Sequence, residues 1–122
     1  MSILSFGYFK LARNIAKESD YHVKVGAVIA KKKPISAMSN CSKSHPKCFD
    51  GFMRSTHAEV RAITNCGAEN LEGASIYVFR ATADGKPALS KPCSNCLTRI
   101  KEYGIKRVYY SIDENSYGVI RL

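Results

Sequence analysis

The chain has 122 residues, of which 45% are hydrophobic and 24% are charged. These values are ordinary for a globular protein, so we expect one domain over residues 1–122 and not a disordered, fibrous or repeat protein. No segment is apolar enough to cross a membrane, and the first ten residues lack the basic and apolar regions of a signal peptide. The five cysteines are an odd number, which argues against a disulfide framework and for a cytoplasmic protein.

The net charge of +9 is unevenly distributed. Residues 1–48 carry nine Lys or Arg and two Asp or Glu, whereas residues 49–122 carry ten and eight. An excess of positive charge favours an anionic partner, such as a nucleotide phosphate or a nucleic-acid backbone. It is equally typical of a domain with lysines on exposed turns, so the charge alone does not select a ligand.

The first elements are a helix and a hairpin. Residues 8–19 follow the spacing of an amphipathic helix, with apolar side chains recurring every three or four positions. Strands rich in β-branched and apolar residues are predicted at 23–30 and 35–39. The four-residue connection Lys31-Lys32-Lys33-Pro34 makes them an antiparallel hairpin. We interpret the three lysines as a solvated hairpin tip, with phosphate binding as the alternative.

Loops, helices and strands alternate after the hairpin. Pro92 fits the first turn of a helix, because its missing N–H costs nothing there. That helix should direct Cys96, Leu97, Ile100 and Tyr103 inward, and it lies between two strands, which therefore run parallel in a βαβ unit. The predicted elements are loop 40–54, a helix from 55 or 56 to about 66, strand 75–80, exposed loop 82–90, helix 93–103 and strand 106–112.

The last ten residues contain a turn at 113–116 and a short strand at 117–122. A parallel return would need a crossover of about a dozen residues, for which there is no room. The final strand is therefore predicted to run antiparallel to 106–112.

The strongest functional signal is a pair of motifs, His57-Ala58-Glu59 and Pro92-Cys93-Ser94-Asn95-Cys96. One imidazole and two thiolates can hold a zinc ion and leave a fourth position for water, as catalytic zinc sites do. Glu59 lies close enough to the His ligand to move protons to and from that water. A redox CxxC pair and a structural zinc are the alternatives, but a structural site needs a fourth Cys or His nearby.

Glu59 also has a purely structural interpretation. Thr56-His57-Ala58-Glu59 fits a capping box, in which the carboxylate would only bond a main-chain N–H. Against this, Glu59 shares a helical face with Ala62, Ile63 and Cys66, and an inward carboxylate is costly unless it has a partner or a function there.

Taken together, the two motifs resemble the signature of zinc nucleobase deaminases, and roughly residues 5–112 resemble the cytidine deaminase-like superfamily and its cytidine/deoxycytidylate deaminase family. The resemblance implies a three-layer α/β/α fold with a mixed sheet of about five strands. It implies Zn²⁺ at His57, Cys93 and Cys96, with Glu59 as the catalytic proton carrier. It also implies hydrolytic deamination, in which cytosine becomes uracil or adenine becomes hypoxanthine.

The resemblance further implies a substrate pocket. Val25 would pack on the base, Asn40 would bind the sugar, and the N–H of Ala58 would receive the pyrimidine carbonyl. Val25 could instead be a core residue, and Asn40 a turn residue that bonds its own main chain. His45 is a further candidate for the pocket, where it could meet a sugar or phosphate. With Cys41 and Cys48 it could alternatively hold a second metal, or it is an ordinary loop residue.

The substrate class remains open between two branches. A His ligand, where cytidine deaminases proper use Cys, resembles the deoxycytidylate, tRNA-adenosine and nucleic-acid-editing branches. In the last two, the final strand is parallel and follows another helix, and this chain departs from that pattern. We therefore expect a free nucleotide or nucleoside, with deoxycytidylate first, and a homo-oligomeric enzyme without a membrane partner. The alternative is editing of cytosine or adenine in single-stranded DNA or RNA, for which Phe49, Phe52 and Tyr117 could stack on bases.

A third interpretation is a basic, zinc-stabilised binding module without enzymatic activity. It would explain neither Glu59 nor the missing fourth ligand.

Overall fold

The computed structural model describes residues 3–19, 24–40, 58, 62–63, 65, 71–82, 84–92 and 94–122. These residues form a short 3₁₀ helix, Ile3–Ser5, and the helices α1, Phe9–Ala16, and α2, Ser94–Glu102. Residues 58, 62, 63 and 65 are also helical. The strands are β1, Lys24–Ala30; β2, Pro34–Ser39; β3, Ser75–Ala81; β4, Pro87–Ala88; β5, Arg107–Ser111; and β6, Tyr117–Arg121. No helix in this part of the chain is both long and apolar enough to span a bilayer.

The strands form a mixed sheet in the order β2-β1-β3-β5-β6, and β4 pairs with β3. β1 and β2 are an antiparallel hairpin, as predicted. β3 and β5 are parallel and lie on either side of α2 in the sequence, which confirms the βαβ unit. β6 returns antiparallel to β5, with Tyr117 opposite Ser111, as the short turn before it required.

Buried side chains form two clusters on opposite faces of the sheet, because successive strand residues point to opposite sides. One cluster packs α1 against the sheet, and the other packs the helical residues between 58 and 65, together with α2, against the opposite face. The first contains Phe9, Ala12, Ala16, Val28 and Phe79. The second contains Ala27, Ile29, Ala58, Ala62, Val78 and Ile100. The three-layer α/β/α arrangement is therefore confirmed.

Helix α1 lies in direct contact with the main chain of β1. A Cβ atom on Gly26 would collide with the main-chain oxygen of Ala12, so only glycine allows this approach. At the start of the helix, the hydroxyl of Tyr8 donates to the carbonyl oxygen of Lys32, 3.0 Å away at the hairpin tip. The helix predicted at 8–19 thus exists over a shorter range, fixed to the sheet at both β1 and the hairpin.

Two predictions for the second half of the chain are wrong. The loop 82–90 is not simply exposed, since Pro87–Ala88 pairs with β3 and Ser90 is buried. Tyr103, expected on the inner face of α2, is 36% exposed. It follows the last helical residue, and Gly104, with a φ of 81°, turns the chain out of the helix.

Candidate active site

The structure describes four of the eight predicted site residues, namely Val25, Asn40, Ala58 and Cys96. His45, His57, Glu59 and Cys93 lie outside the described residues, as do Cys41 and Cys48 of the possible second metal site. The four described residues come from β1, the end of β2, the helical residues near 58 and helix α2. The candidate site therefore combines residues of the sheet with residues of the helical layer that packs on one of its faces.

Val25 and Asn40 are joined by two hydrogen bonds. The N–H of Val25 donates to Oδ1 of Asn40 at 2.9 Å, and the N–H of Asn40 donates to the carbonyl oxygen of Val25, also at 2.9 Å. Because Val25 supplies a donor, the oxygen of the Asn40 amide must face it, and the NH₂ group must point the other way. Asn40, a residue that is 5% exposed, therefore bonds the neighbouring strand β1 through its side chain.

Val25 itself is half-buried and packs against the cluster that contains Ala27 and Ile29. Strand alternation places its side chain on the same face as these two residues. Both interpretations of Val25 are thus compatible with its position, since one part of the side chain lies in the core and another part is exposed.

The helical residues near 58 are fixed to β2 by a buried serine. The hydroxyl of Ser36 donates to the carbonyl oxygen of Ala62 at 2.8 Å, and Nδ2 of Asn65 donates to the Ser36 hydroxyl at 3.2 Å. Ser36 lies near the hairpin tip, whereas Asn40 lies at the opposite end of β2. Ala58, one turn before Ala62, is buried in the same cluster as Ala27 and Ile29.

Cys96 lies in the first turn of α2 and is 1% exposed. The positive end of a helix stabilises a thiolate, so a buried thiol in this position fits a zinc ligand. Within the described ranges, no group of three or more His, Cys, Asp and Glu side chains is placed to hold a metal ion. Cys96 is the predicted ligand that these ranges contain.

Three of the four described site residues lie at one end of the sheet. Because β3 and β5 are parallel with α2 between them, α2 begins at the end where β3 finishes. Val25 pairs with Arg80, the penultimate residue of β3, and β2 finishes at the same end with Asn40. Val25, Asn40 and the start of α2, which carries Cys96, thus lie at one end of the sheet.

The lysine-rich hairpin tip lies at the other end of the sheet. Lys31 is six residues along the chain from Val25, a span of about 20 Å in a strand that rises about 3.3 Å per residue. The structure therefore favours the solvated-tip interpretation over a phosphate site for the substrate. Arg80, Lys86 and Lys91 are exposed cations at the end that holds Asn40.

The sequence analysis missed two buried serines at this end, Ser90 and Ser111. The N–H of Ser111 donates to the hydroxyl of Ser90 at 2.8 Å, although the two residues lie 21 positions apart. No periodicity or motif marks them, so only the packing of β3 against β5 could have identified them.

Comparisons with known proteins agree with this architecture. Residues 6–112 match the family described as the cytidine and deoxycytidylate deaminase zinc-binding region. A comparison with curated proteins found no match. The fold is similar to the dCMP deaminase of cyanophage S-TIM5 in its apo form, with a TM-score of 0.61, 23% identity and coverage of 84% of this chain and 78% of that one.

Two further solved structures have a similar fold. The same cyanophage enzyme in complex with dCMP and dUMP gives a TM-score of 0.58 at 21% identity, covering 84% of this chain and 76% of that one. A cytidine deaminase from Burkholderia pseudomallei gives a TM-score of 0.68 at 19% identity, covering 93% and 88%. At these identities, the likeness establishes the fold that the chains share.

Proposed function

This chain belongs to the cytidine and deoxycytidylate deaminase family, and from that premise we propose that it is a zinc-dependent hydrolase that converts cytosine to uracil on a free nucleotide or nucleoside. We propose deoxycytidylate as its preferred substrate. The observation that carries the proposal is the position of Val25, Asn40 and Cys96 at one end of the sheet, with Ala58 buried on the face that Val25 shares.

His57, Cys93 and Cys96 would hold the zinc ion in this proposal. Two thiolates and a neutral imidazole are a ligand set that zinc prefers, and the buried position of Cys96 in the first turn of α2 supports it. A bound zinc ion supplies a water of pKa near 7, which gives hydroxide at physiological pH.

Glu59 would carry the protons of the reaction. It would accept one proton from the attacking water and deliver it to the ring nitrogen. It would then accept the second proton from the hydroxyl group of the adduct and deliver it to the departing amine. The water oxygen adds to the carbon that bears the exocyclic amine, ammonia leaves, and a carbonyl remains. Cytosine and one water thus yield uracil and one ammonia, with no oxidant or reductant.

The described pocket residues would orient the substrate. The two hydrogen bonds with Val25 direct the NH₂ group of Asn40 away from β1, which suits donation to a sugar hydroxyl. Val25 would pack on the base, and the N–H of Ala58, at the start of the helical segment, would receive the pyrimidine carbonyl. His45 would contact the sugar or phosphate.

A panel assay tests the proposal directly. The pure protein is analysed for metal and incubated with deoxycytidylate, deoxycytidine, cytidine and cytosine-containing single-stranded oligonucleotides, with ammonia release and product mass as readouts. We expect one zinc per chain, uracil as the product base, and faster turnover of deoxycytidylate than of deoxycytidine. A protein without zinc, or a site with four protein ligands, would contradict the proposal. Light scattering on the same sample tests the expected homo-oligomer.

The uneven charge keeps editing of a polynucleotide as the second candidate. If lysines in residues 1–48 followed a nucleic-acid backbone, affinity would fall with salt by a log–log slope of about −0.7 per phosphate contacted on a single strand. A free nucleotide presents few charges, so its binding should weaken only slightly. Measuring apparent affinity for deoxycytidylate and for an oligonucleotide at two salt concentrations separates the two. Tight, salt-sensitive oligonucleotide binding with base conversion would overturn our first choice.

A further inference from the structure

β3 and β5 separate at their carboxyl ends. Their parallel pairing reaches Val78 and Tyr110. Beyond that point Ser90 lies between them: its N–H donates to the carbonyl oxygen of Ser111 at 2.9 Å, and its hydroxyl donates to the carbonyl oxygen of Val78 at 2.8 Å. Ser90 therefore takes the place of a strand-to-strand contact and holds the segment 84–92 in the gap.

Ser111 completes the arrangement from the β5 side. Its N–H donates to the Ser90 hydroxyl at 2.8 Å. Its own hydroxyl donates to the carbonyl oxygen of Ala88 at 2.6 Å and accepts the N–H of Arg80 at 3.2 Å. Each hydroxyl can donate one hydrogen bond, so the Ser90 hydroxyl donates to the carbonyl oxygen of Val78 and the Ser111 hydroxyl donates to the carbonyl oxygen of Ala88. We call this pair of residues, whose oxygens lie 2.8 Å apart, the serine clamp.

Serine is needed at positions 90 and 111 because each hydroxyl pairs with main-chain groups in the gap between β3 and β5. Ser111 is 0% exposed and Ser90 is also buried. Alanine at 111 would remove the partner of the Ala88 carbonyl and of the Arg80 N–H, and a buried polar group that loses its partner is costly. The hydroxyls thus satisfy main-chain groups that the separation of β3 and β5 would otherwise leave unpaired.

The clamp lies immediately before the cysteine motif. Pro92 is buried two residues after Ser90, and its ring restricts the main chain at that point. Helix α2 begins at Ser94 and carries Cys96 in its first turn. Only three residues separate Ser90 from the first residue of α2, and the end of β5 is connected to that helix start through the two serines.

We propose that the serine clamp is a positioning device for the metal: it fixes the entry into α2 and thereby the cysteine pair that binds zinc. The inference rests on the proposed function, because it concerns zinc only if Cys93 and Cys96 are ligands. Ser90 and Ser111 touch neither metal nor substrate in this scheme. Residues that orient metal ligands from outside typically change metal affinity by about 10- to 100-fold when they are substituted.

The test uses the zinc-loaded protein and the variants Ser90→Ala, Ser111→Ala and the double variant. Zinc transfer to a competing chromophoric chelator is measured under conditions where circular dichroism shows each variant folded. We expect the single variants to hold zinc about 10-fold less tightly or worse. The double variant should resemble Ser111→Ala, because the two hydroxyls act as one unit. The absorption bands of the cobalt-substituted protein should shift in the same variants. If Ser111→Ala does not fold, Ser90→Ala carries the test.

Two variants serve as controls. Thr82→Ala removes a hydroxyl that accepts the Lys86 N–H at 3.1 Å in the turn that precedes the clamp. Val28→Ala weakens the core on the opposite face of the sheet. Both should retain zinc and the cobalt spectrum like the wild type. Serine variants that release zinc no faster than Val28→Ala would overturn the inference while leaving the proposed function intact. A wild-type protein that binds no zinc would instead contradict the proposed function.

Discussion

The two faces of the sheet are built from different side chains. The aromatic face, under α1, carries the rings of Phe6, Phe9, Tyr77, Tyr109 and Tyr117. Phe6 stacks on Tyr117 at a centroid distance of 4.3 Å, and Tyr77 stacks on Tyr109 at 4.7 Å. The site face, under the helical residues near 58 and under α2, is lined by small and aliphatic residues, among them Ala27, Ala58, Ala62 and Val78.

The difference in side chains indicates that the aromatic face contributes mainly to stability and the site face mainly to activity. Large rings fill the aromatic face, and its fully buried rings, Phe9 and Phe79, carry no polar atom. Small side chains on the site face leave the helical main chain close to the sheet, so that the hydroxyl of Ser36 can reach the carbonyl oxygen of Ala62. We therefore expect substitutions on the site face to alter activity and those on the aromatic face to alter stability.

The largest loss of activity should come from Glu59→Gln. The variant keeps the shape of the side chain but cannot carry protons, so kcat should fall by about 10²- to 10⁴-fold. Zinc content and the unfolding transition should stay at wild-type values. Near wild-type turnover on the true substrate would mean that Glu59 is only a helix cap.

Gly26→Ala should produce the largest loss of stability on the other face. The new methyl group would press on the main-chain oxygen of Ala12, and overpacking of this kind costs about 1–3 kcal/mol. Urea unfolding monitored by circular dichroism measures the loss. Turnover per folded molecule should be unchanged. A Gly26→Ala protein as stable as wild type would show that α1 can move away from β1 at little cost.

Asn40→Asp should have a smaller effect, confined to substrate binding. The aspartate oxygen still accepts the Val25 N–H, so the β1–β2 end should hold, but the NH₂ donor is lost. One hydrogen bond of about 1–1.5 kcal/mol corresponds to roughly a tenfold rise in KM. Deoxycytidine, which carries no phosphate, separates this effect from charge repulsion. An unchanged KM with deoxycytidine would make Asn40 a structural residue alone.

The smallest effect should come from Tyr77→Phe, which should change the free energy of unfolding only in alkaline solution. Burial raises the pKa of Tyr77, neighbouring Tyr109, Tyr8 and Tyr117 raise that pKa further, and Arg107 opposes them. A raised pKa means that the unfolded chain loses its proton first, so the contribution to stability is complete below about pH 10 and is lost as pH rises through the folded pKa.

Phenylalanine keeps the ring of residue 77 and removes this ionisation. Unfolding free energies from pH 8 to 11 should therefore fall less steeply in Tyr77→Phe than in wild type. Tyr103→Phe, at the exposed end of α2, is the matched control and should follow the wild-type curve. Parallel curves for wild type and Tyr77→Phe would contradict the prediction.

The sequence predicted much of this fold because the relevant signals are local. A four-residue connection allows only a hairpin for β1 and β2, and a four-residue turn before Tyr117 forbids a parallel final strand. The zinc motif was likewise local, because ligand types and spacing are written in two short segments. The candidate substrate residues Val25 and Asn40 follow only from the resemblance, and the hydrogen bonds between them are visible only in the structure.

The remaining features depend on contacts between distant segments. β4 has two residues, too few for any alternation to mark it. The serine clamp joins positions 21 apart in the chain through hydroxyl bonds that no pattern encodes. Tyr117, a candidate for base stacking, stacks on Phe6 from the N-terminal segment and is 37% exposed. Residues this far apart meet only once the sheet has formed.

The turn that precedes the clamp has a consequence for how the chain can vary in length. Gly85, with a φ of 82°, lies in an exposed turn closed by the bond from the Thr82 N–H to the Lys86 carbonyl. Extra residues at such a loop tip displace no buried group. From Ser90 onward, by contrast, the number of residues is fixed. An insertion between Ser90 and Cys96 would rotate the start of α2 relative to the serine clamp. The segment thus combines a point open to insertion with a stretch of fixed length, and engineered tags or lengthened loops belong at Asp84-Gly85.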